Sequence, residues 1–536
     1  MLPCVLFEDD HLLVVNKPAG LNTHAPSPYA GEGIYDWLRH REARWAKLAI
    51  VHRLDKETSG VLVFSKSSLA NRSLTEQFTG RAVRKRYLLL TNGALPKTQL
   101  SVKSCLARAG EKYVSRPVHA GGVVAETEFE TGLTLSHGPF AGCAEIWAQP
   151  LTGKTHQIRV HATQVGIPIL GDALYGGAKA NRVCLHAAEI SFEHPETGKT
   201  VIFRAAAEFE KDPRFALREA FIETELTSAC RLIHGSSDGW PGWYVERLGD
   251  YLLSQSERPL QSTETAELER IVAALRLKGA YHKILTREVR KACSNDASPR
   301  LVLGDAAPER FAVLENGLRF TLSFTEGYSV GLFLDQRDNR RRLLTEHIGA
   351  DFQLSPGPGS AAGLSVLNAF AYTCGFSVAA AKADATTTSL DLSKKYLAWG
   401  KENFALNGQE PASHDFIYGD VFDWLRRLAK KQRQFDLVLL DPPTFSQSKE
   451  SGVFRVERDY GRLVHAALPL LRRRGVLFAS TNAAKWEPED FLAVIKQEAQ
   501  ASGRVVLQHL FFPQPTDFPV SRGEPGYLKT VWIRMS

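Results

Sequence analysis

From residue 365 onward, short apolar runs alternate with longer amphipathic stretches. The apolar runs predict strands at 365–370, 386–391, 414–418, 435–440 and 476–482. The stretches between them have helical spacing, most clearly around Trp399 and at 421–431. Strands that alternate with helices form a doubly wound, mostly parallel sheet, which binds ligands at the carboxyl ends of its strands.

The remainder of the chain lacks this regular alternation. The N-terminal part predicts helices at 29–48 and 67–79, a basic strand at 84–90, and short strands with glycine-rich turns up to residue 150. Short strands at 226–256, 281–286 and 310–324 surround one predicted helix at 262–277. With a boundary at Asp212 and Pro213, we predict a multidomain α+β and α/β protein with domains at 1–212, 213–325 (a small α+β connector) and 326–536.

Composition fits this picture, since 536 residues suffice for two to four domains. The hydrophobic fraction of 44% and the charged fraction of 23% are those of globular proteins. No segment approaches the roughly 18 uninterrupted apolar residues of a membrane span, and no secretory signal is visible. Seven dispersed cysteines without a Cys-x-x-Cys pair indicate reduced thiols rather than a disulfide framework or a metal site. We therefore expect a cytoplasmic protein without a metal.

The charge balance permits a polyanionic partner. The net charge is +7 and the pI about 8.9, a moderate basic excess that does not prove nucleic-acid binding. Basic residues cluster in three places: Arg81, Arg84, Lys85 and Arg86; Arg337, Arg340, Arg341 and Arg342; and Arg472 to Arg474. Taken singly, each cluster is also typical of a solvated helix face.

The stretch Val51 to Gly60 reads Val-His-Arg-Leu-Asp-Lys-Glu-Thr-Ser-Gly and precedes an apolar run. A bare His-Arg-Leu-Asp is more often a surface turn. The whole stretch, however, resembles the active-site loop of the RluA-type RNA pseudouridine synthases. A second resemblance to that family begins at Leu151 with Leu-Thr-Gly-Lys-Thr-His-Gln-Ile-Arg-Val-His and continues to Gly176. Together they cover residues 1 to about 210 and imply a mixed, mostly antiparallel sheet.

The resemblance implies residue roles for the isomerisation of uridine, which needs no cofactor. Asp55 is the catalytic carboxylate, and Arg159 is the cation that favours its ionised form. Tyr87 stacks on the base, with a core aromatic as the alternative interpretation. Arg53 fills the gap left by the flipped nucleotide. His52 is at least as well explained by a structural hydrogen bond. Many relatives carry a small RNA-binding domain ahead of this pattern, which we expect to be missing here.

The stretch Gly327 to Arg340 reads Gly-Tyr-Ser-Val-Gly-Leu-Phe-Leu-Asp-Gln-Arg-Asp-Asn-Arg. It resembles a family of large-subunit rRNA methyltransferases, and Arg231 to Gly242 resembles, more moderately, the small domain that precedes their catalytic part. The chain has no Gly-x-Gly-x-x-Gly, so the resemblance implies S-adenosylmethionine rather than a dinucleotide. Acids at three strand ends fit that cofactor, with helix capping as the alternative. The cofactor-binding candidates are Phe370, Tyr372, Gly375, Asp391, Ser393, Asn403, Asp420 and Asp441.

The segment Asp441-Pro442-Pro443-Thr444-Phe445 resembles the catalytic loop of these enzymes, and Asp441 is the candidate catalytic residue. Methylation of cytosine C5 needs a thiolate, yet no cysteine follows Cys374, where relatives commonly have glycine. Guanine N7 already offers a lone pair and needs only positioning. We therefore favour the guanine-N7 branch.

These features predict a bifunctional enzyme that modifies RNA, namely 23S rRNA. Three alternatives remain: one half is only an RNA-binding module, the protein is a non-enzymatic ribosome-assembly factor, or the methyl acceptor is cytosine C5. The sequence does not give the modified nucleotides, the choice between rRNA and tRNA for the first half, or the oligomeric state.

Overall fold

A computed structural model describes residues 2–30, 33–285, 298–326, 329–355, 363–448, 450 and 452–536. Parts of the motif at 327–340 and of the Pro/Gly/Ser-rich loop at 355–363 lie outside these residues. The chain divides into two compact units. Unit 1 comprises 1–25, 33–37 and 47–223, and unit 2 comprises 26–32, 38–46 and 224–536.

Unit 1 contains one mixed sheet of eleven strands. These are β1 Val5–Glu8, β2 Leu12–Lys17, β3 Ala49–Ile50, β4 Ser59–Ser65, β5 Arg84–Thr91, β6 Gln99–Ala109, β7 Lys112–Arg116, β8 Val123–Thr134, β9 Ala144–Pro150, β10 Leu185–Glu193 and β11 Thr200–Arg204. The order along the sheet is β1-β2-β4-β10-β5-β9-β8-β6-β7, with β3 beside β4 and β11 beside β10. Only the β4–β10 pairing is parallel, so the predicted mixed, mostly antiparallel sheet is confirmed.

The described α-helices before residue 224 are α1 Ile34–Arg41, α2 Ser68–Thr79, α3 Gln157–Gln164 and α4 Pro213–Phe221. The helix predicted at 67–79 is confirmed, because α2 is capped by the side chain of Ser67. The helix predicted at 29–48 is too long. Gly33 lies so close to the backbone of His24 that a Cβ atom would come within 2.4 Å of its Cα. The helix ends before Glu42, whose backbone is extended.

The central strands of unit 1 bring distant segments into one row. Gly60 pairs with Ala187, Ala187 with Tyr87, and Tyr87 with Ala148. Gly60 has φ +117°, and a Cβ there would lie 2.3 Å from the carbonyl oxygen of Ala187. Only glycine permits this approach. The loop that carries Asp55, which precedes β4, is thereby placed beside Tyr87.

Unit 2 begins with a five-stranded sheet and a hairpin. Their elements are β12 Ala229–His234, β13 Trp243–Leu248, β14 Tyr251–Ser256, α5 Ser262–Leu275, β15 Gly279–Ile284, β16 Arg300–Gly304, β17 Phe311–Glu315 and β18 Leu318–Leu322. The predicted helix at 262–277 corresponds to α5. The division between the units falls after Glu223, beyond α4, rather than at the predicted boundary of residues 212 and 213. The proposed three-domain division stays a prediction.

The second half of unit 2 is built on a seven-stranded sheet. Its elements are α6 Arg337–Thr345, β19 His347–Gly349, β20 Phe352–Gln353, β21 Ser365–Ala369, α7 Gly375–Lys382, β22 Thr386–Asp391, α8 Lys394–Leu406, β23 Asp415–Tyr418, α9 Val421–Lys430, β24 Phe435–Leu440, β25 Phe445–Ser448, β26 Gly452–Arg455, α10 Val456–Ala467, β27 Leu471–Thr481, α11 Pro488–Ala501, β28 Val506–Phe512 and β29 Lys529–Met535. The sheet order is β23-β22-β21-β24-β27-β29-β28, and among the described strands only the β27–β29 and β28–β29 pairings are antiparallel. The doubly wound fold is confirmed.

One apolar core joins the two halves of unit 2. Leu253 of β14, Phe320 of β18 and Leu437 of β24 belong to the same buried cluster. On the next position of β24, Val438 faces a second cluster on the opposite side of the sheet, as the alternation of side chains along a strand requires. The five-stranded sheet is therefore packed against the seven-stranded sheet.

The arginine cluster of α6 is buried. The Arg340 guanidinium donates to both carboxylate oxygens of Glu315, at 2.6 and 2.7 Å. The Arg337 guanidinium donates to Asp517 in the same bidentate manner, at 2.9 and 2.6 Å. Arg342 stacks on Phe512. The interpretation of this cluster as a solvated or RNA-binding face is therefore wrong for these three arginines, which hold unit 2 together.

Breaking the Arg340–Glu315 pair will destabilise unit 2 strongly. Glu315→Gln leaves the buried guanidinium without a full counter-charge, and we expect the free energy of unfolding to fall by about 3 kcal/mol. Lys278→Gln, which removes an exposed ion pair with Asp250, serves as the control and should change it by less than ~1 kcal/mol. Urea unfolding followed by tryptophan fluorescence measures both, and equal effects would show that the buried pair is not a structural anchor.

Candidate active sites

A cavity of about 940 Å³ opens in unit 1 around the loop at 51–58. Among the described residues that line it, Asp55 is the only carboxylate. Six cations line the same cavity: Arg53, Lys56, Arg81, Lys85, Lys154 and Arg159. This balance favours a polyanionic ligand and leaves one carboxylate for chemistry.

Two residues of the N-terminal segment fix the backbone on either side of Asp55. The hydroxyl of Thr23 donates to the carbonyl of Leu54 at 2.9 Å and accepts from its N–H at 3.1 Å. The fully buried ammonium group of Lys17 donates to the carbonyls of Leu21 and Lys56, at 2.8 and 3.3 Å. Burial lowers the pKa of Lys17 to about 7. Asp55 itself stays partly exposed to the cavity.

Tyr87 lies beside Asp55, as the row of paired strands requires. Its side chain is buried, and burial together with the Asp55 charge raises the pKa of its hydroxyl. The hydroxyl is therefore protonated at neutral pH and can donate a hydrogen bond into the cavity. The predicted position of Tyr87 in the site is thus matched by the geometry, although its role stays a prediction.

Arg159 is also in the cavity but is paired with another acid. Its guanidinium donates to both oxygens of Asp172, at 2.6 and 2.7 Å, and packs on the Tyr175 ring. In the described part of the chain, Asp55 has no basic group within 4.0 Å. Burial lowers the pKa of Arg159, but the hydrogen bond and charge of Asp172, together with the Asp55 charge, outweigh it and raise the pKa overall. Arg159 is thus a fixed cation near Asp55 rather than its direct partner.

The histidines of the two motifs have structural contacts. His52 accepts a hydrogen bond from the N–H of Val63 at 3.0 Å and stacks on Phe78, and burial lowers its pKa to about 3. His161 is buried between Ser104 and Thr127, with its pKa lowered to about 4. The structural interpretation of His52 is therefore supported. Arg53 is exposed at the cavity.

In unit 2, the turn after β21 has an unusual backbone. Phe370, Tyr372 and Cys374 all have positive φ angles, of 66°, 49° and 63°. Non-glycine residues adopt this conformation rarely, and such strain clusters at ligand sites. Asp391 at the end of β22 fixes the turn, because its carboxylate accepts from the N–H of Tyr372 and of Ser393 at 2.8 Å each. Burial raises the pKa of Asp391.

Three predicted cofactor contacts have other roles in the structure. Asp420 caps α9 through the N–H of Asp423 and accepts from the Ser448 hydroxyl at 2.6 Å. Ser393 caps α8. Asn403 is fully buried, with its amide bound to Thr321 and to the carbonyl of Thr373. Asn403 therefore supports the turn, and Asp420 and Ser393 cap helices, so the cofactor contacts of these three residues stay predictions.

Cys374 fits the turn because of a glycine on a neighbouring helix. A Cβ at Gly400 of α8 would lie 2.3 Å from the Cys374 sulfur. The sulfur thus occupies the space that a side chain at position 400 would take. Burial raises the pKa of the Cys374 thiol to about 12, so it is neither nucleophilic nor accessible. Gly375 begins α7, directly after Cys374.

Asp441 follows β24 at the same edge of the sheet as Asp391. Gln336 holds it in place, donating to the Asp441 carboxylate at 3.2 Å and to the Ser480 hydroxyl at 2.8 Å. The Tyr460 hydroxyl donates to the neighbouring carbonyl of Leu440. Burial raises the pKa of Asp441 to about 6, although hydrogen bonds to its ionised form oppose this.

Sequence reasoning missed several of the supporting residues. Asp172 lies inside the stretch that continues to Gly176 and Lys17 lies outside the quoted motifs, and only their three-dimensional contacts reveal that they hold Arg159 and the loop of Asp55. Gln336 likewise lies in the motif at 327–340. Its place between Arg337 and the conspicuous Asp335 gave no indication that it reaches Asp441.

Two protein families match different parts of the chain. Residues 11–164 match the RNA pseudouridylate synthase family, and residues 230–527 match the S-adenosylmethionine-dependent methyltransferase family. A ribosomal RNA large subunit methyltransferase of Deinococcus radiodurans is 31% identical over 314 residues, which is 58% of this chain and 73% of the relative. The crystal structure of the methyltransferase SMU.776 complexed with SAH superimposes with a TM-score of 0.50 at 33% identity, covering 60% of this chain and 79% of that chain.

The N-terminal part resembles a different group. The ribosomal large subunit pseudouridine synthase C of Yersinia pestis is 39% identical over 215 residues, which is 38% of this chain and 65% of the relative. The ribosomal RNA large subunit methyltransferase K/L of a Psychrobacter species is 41% identical over 184 residues, 34% of this chain and 21% of the relative. The chain therefore spans less than two thirds of the length of these two relatives. Among the residues described above, no helix has the length and apolar character needed to cross a bilayer.

The contact between Cys374 and Gly400 predicts a compensating pair of substitutions. Gly400→Ala will force the sulfur out of its place, lowering the stability of unit 2 by about 1–3 kcal/mol and weakening S-adenosylmethionine binding. Adding Cys374→Gly removes the sulfur, and we expect most of both losses to be recovered. Thermal unfolding and calorimetric titration with S-adenosylmethionine measure the two effects.

Gly461→Ala is the matched control, because a Cβ there would meet only the movable ends of Glu498 and Val494. Its effect should not depend on residue 374. If Gly400→Ala causes equal losses with and without the Cys374→Gly substitution, the proposed fit is contradicted.

Proposed function

Because the chain belongs to the S-adenosylmethionine-dependent methyltransferase family and carries a pseudouridine synthase domain ahead of it, we propose that it modifies two bases of large-subunit rRNA. Unit 1 converts a uridine to pseudouridine, and unit 2 methylates a guanine at N7. The observation that carries the first activity is Asp55, the one carboxylate among the described residues of a cavity lined by six cations. The second activity is carried by Asp441, held by Gln336 beside the strained turn at 370–374. Such an enzyme works in the cytoplasm, on the ribosome or its precursors.

In the first reaction, the bond between ribose C1′ and uracil N1 breaks and a bond between C1′ and C5 forms. The proton on C5 leaves, N1 gains a proton, and no electrons are exchanged with another molecule. Asp55 attacks the sugar or base, or stabilises the separated fragments. Arg159, fixed by Asp172, supplies positive charge near it. Tyr87, whose hydroxyl is protonated, packs against the base and donates a hydrogen bond.

RNA is the partner that suits this cavity. A base within RNA structure must be flipped out before its glycosidic bond can be reached. Arg53 is exposed at the cavity, so it can occupy the place of the flipped nucleotide. The exposed cations Lys56, Arg81 and Lys154 line the same opening and attract the phosphate backbone.

The residues after β21 and β22 suit S-adenosylmethionine, which supplies an electrophilic methyl group when bound. Asp391 retains acceptor capacity beyond its two backbone contacts and would take the ribose hydroxyl groups. Phe370 and Tyr372 would line the same site from the strained turn. The raised pKa of Asp391 indicates a carboxylate held away from water, which donors on a ligand would stabilise.

The acceptor atom follows from the chemistry that unit 2 offers. Guanine N7 attacks the methyl carbon with its lone pair, the sulfonium sulfur leaves as a neutral thioether, and no proton is lost. Cytosine C5 would need a thiolate. Within the described part of unit 2 the thiols are Cys230 and Cys374, both buried. The end of β27 carries Ser480 and Thr481 in the place of a nucleophilic cysteine. The ionised Asp441 stabilises the positive charge that develops on the ring.

Product analysis with two active-site variants tests both activities. Incubation with unmodified 23S rRNA should give pseudouridine without S-adenosylmethionine, and 7-methylguanosine only with it. Asp55→Ala should abolish pseudouridine and leave methylation unchanged, whereas Asp441→Ala should do the reverse. Nucleoside mass spectrometry and position mapping measure the products.

Each alternative has a distinct result. A methylated cytosine would exclude guanine N7 as acceptor. If one half forms no product on rRNA or tRNA but still binds RNA, that half is a binding module. If neither half forms a product, the bifunctional assignment is wrong.

Methyl transfer will depend on the ionisation of Asp441. Because its pKa is raised to about 6, we expect the rate to be constant near pH 8 and to fall by half near pH 6. Asp441→Asn should lower the rate and remove this pH dependence.

A folded-state pKa of Asp441 above the ordinary value of 3.8 means that the ionised carboxylate destabilises the fold above pH 6. Asp441→Asn should therefore raise the Tm at pH 8, with the difference shrinking between pH 6 and pH 4. An unchanged Tm difference across this range would contradict the assignment.

A further inference from the structure

Lys85 is a cation of the unit 1 cavity that the reaction described above does not use. Side chains alternate along β5, so Lys85 and Tyr87 lie on the same face, and both line the cavity. Their neighbour Arg86 points to the opposite face, where it pairs with Glu130 and stacks on Trp147. One face of this strand thus presents a cation and an aromatic hydroxyl to the ligand.

The Lys85 ammonium group lies next to Gly153 in the wall of the cavity. Its nitrogen is 3.6 Å from the place that a Cβ would take at Gly153, which therefore leaves room for it. Its charge contributes to the low pKa of His52, whereas the Asp55 charge acts on Tyr87. Two residues along a strand span about 6.7 Å, so the cation and the hydroxyl face separate parts of a ligand.

Lys85 has no acidic partner among the described residues. The buried cation of this cavity, Arg159, is held by Asp172, but no carboxylate in the described part of the chain lies within 4.0 Å of the Lys85 nitrogen. Its side chain is partly buried, and the loss of water lowers its pKa. A partly buried ammonium group without a counter-ion is unfavourable in free energy, and a bound anion would offset this. Uracil and ribose are neutral, so the anion that a bound nucleotide brings is its phosphate.

We propose that Lys85 binds a backbone phosphate adjacent to the flipped uridine, while Tyr87 contacts the base. This inference rests on the proposed pseudouridine synthase function. Strand β5 then holds the contacts to the base and to the backbone at a fixed spacing, which positions the nucleotide relative to Asp55. The charge-assisted contact forms on binding and persists through the reaction, so its loss raises KM more than it lowers kcat.

The first test measures RNA binding by the full-length protein as a function of salt. The probe is a fluorescent RNA hairpin that contains the uridine mapped in 23S rRNA, or a uridine-rich loop if none is modified. Each phosphate contact contributes about 0.7–0.9 to the slope of log K against log salt concentration. Lys85→Gln should reduce the magnitude of the slope by about that amount, whereas Lys85→Arg, which keeps the charge, should not.

Arg84→Gln is the matched control, because Arg84 is exposed on the same strand and does not line the cavity. It removes the same charge and should leave the slope and the kinetics unchanged. For Lys85→Gln we expect KM to rise about tenfold, equivalent to about 1.4 kcal/mol, with kcat changed less than threefold. Circular dichroism and the methyltransferase activity of the same preparations show that the variants are folded.

The second test identifies the phosphate. A series of RNA probes carries one neutral methylphosphonate in turn on each side of the target uridine. One of these substitutions should weaken binding to the wild-type protein and have no further effect on Lys85→Gln. If every methylphosphonate weakens binding by the same factor in Lys85→Gln as in the wild-type protein, the inference is overturned. It is also overturned if Lys85→Gln leaves the salt slope unchanged. Absence of pseudouridine with the wild-type protein would instead overturn the proposed function, and the salt slope would still decide whether Lys85 contacts a phosphate.

Discussion

In both units, a guanidinium that is buried and held by a carboxylate lies near the carboxylate that we propose to react. Arg159 and Asp172 form such a pair in unit 1, and Arg340 with Glu315 and Arg337 with Asp517 do so in unit 2. The desolvation cost of a buried pair can exceed its Coulombic gain, so forming the pair need not stabilise the fold, although breaking it is costly. Its bidentate geometry, however, permits only one arrangement of the two chain segments that it joins. The geometry of these pairs therefore positions the segments that they join.

The buried ion pairs have different structural effects in the two candidate sites. In unit 1, Asp172 occupies the guanidinium of Arg159, so that Asp55 keeps its carboxylate free for the substrate while a positive charge stays nearby. In unit 2, the pairs of Arg337 and Arg340 anchor α6, and Gln336 directly before this helix reaches Asp441. A direct ion pair to either reactive carboxylate would have tied up its lone pairs. Because each arginine is paired with a different acid, Asp55 and Asp441 keep oxygen atoms that can contact a ligand.

The sequence predicted the elements and the carboxylates that lie in the two candidate sites better than the contacts that support them. The helix at 67–79, the strand at 84–90 and the doubly wound sheet follow from local spacing. The position of Asp55 beside Tyr87 follows from motifs together with a mixed sheet. The burial of Arg337 and Arg340 could not be predicted, because their partners Asp517 and Glu315 lie far away in the chain. Helix capping was the alternative for the acids at strand ends, and Asp420 does cap a helix, whereas the cap formed by Ser393 was not anticipated.

The pair of Cys374 and Gly400 shows why a single position is an incomplete guide to a site. A cysteine in the left-handed conformation costs roughly 1–2 kcal/mol relative to glycine, which by itself would argue against a working turn. Gly400 removes the steric obstacle, and the buried sulfur recovers packing in the space that it leaves. The turn keeps its hydrogen bond from Tyr372 to Asp391. The change at 374 is therefore compatible with the cofactor site because a residue on α8, and not one in the motif, makes room for it.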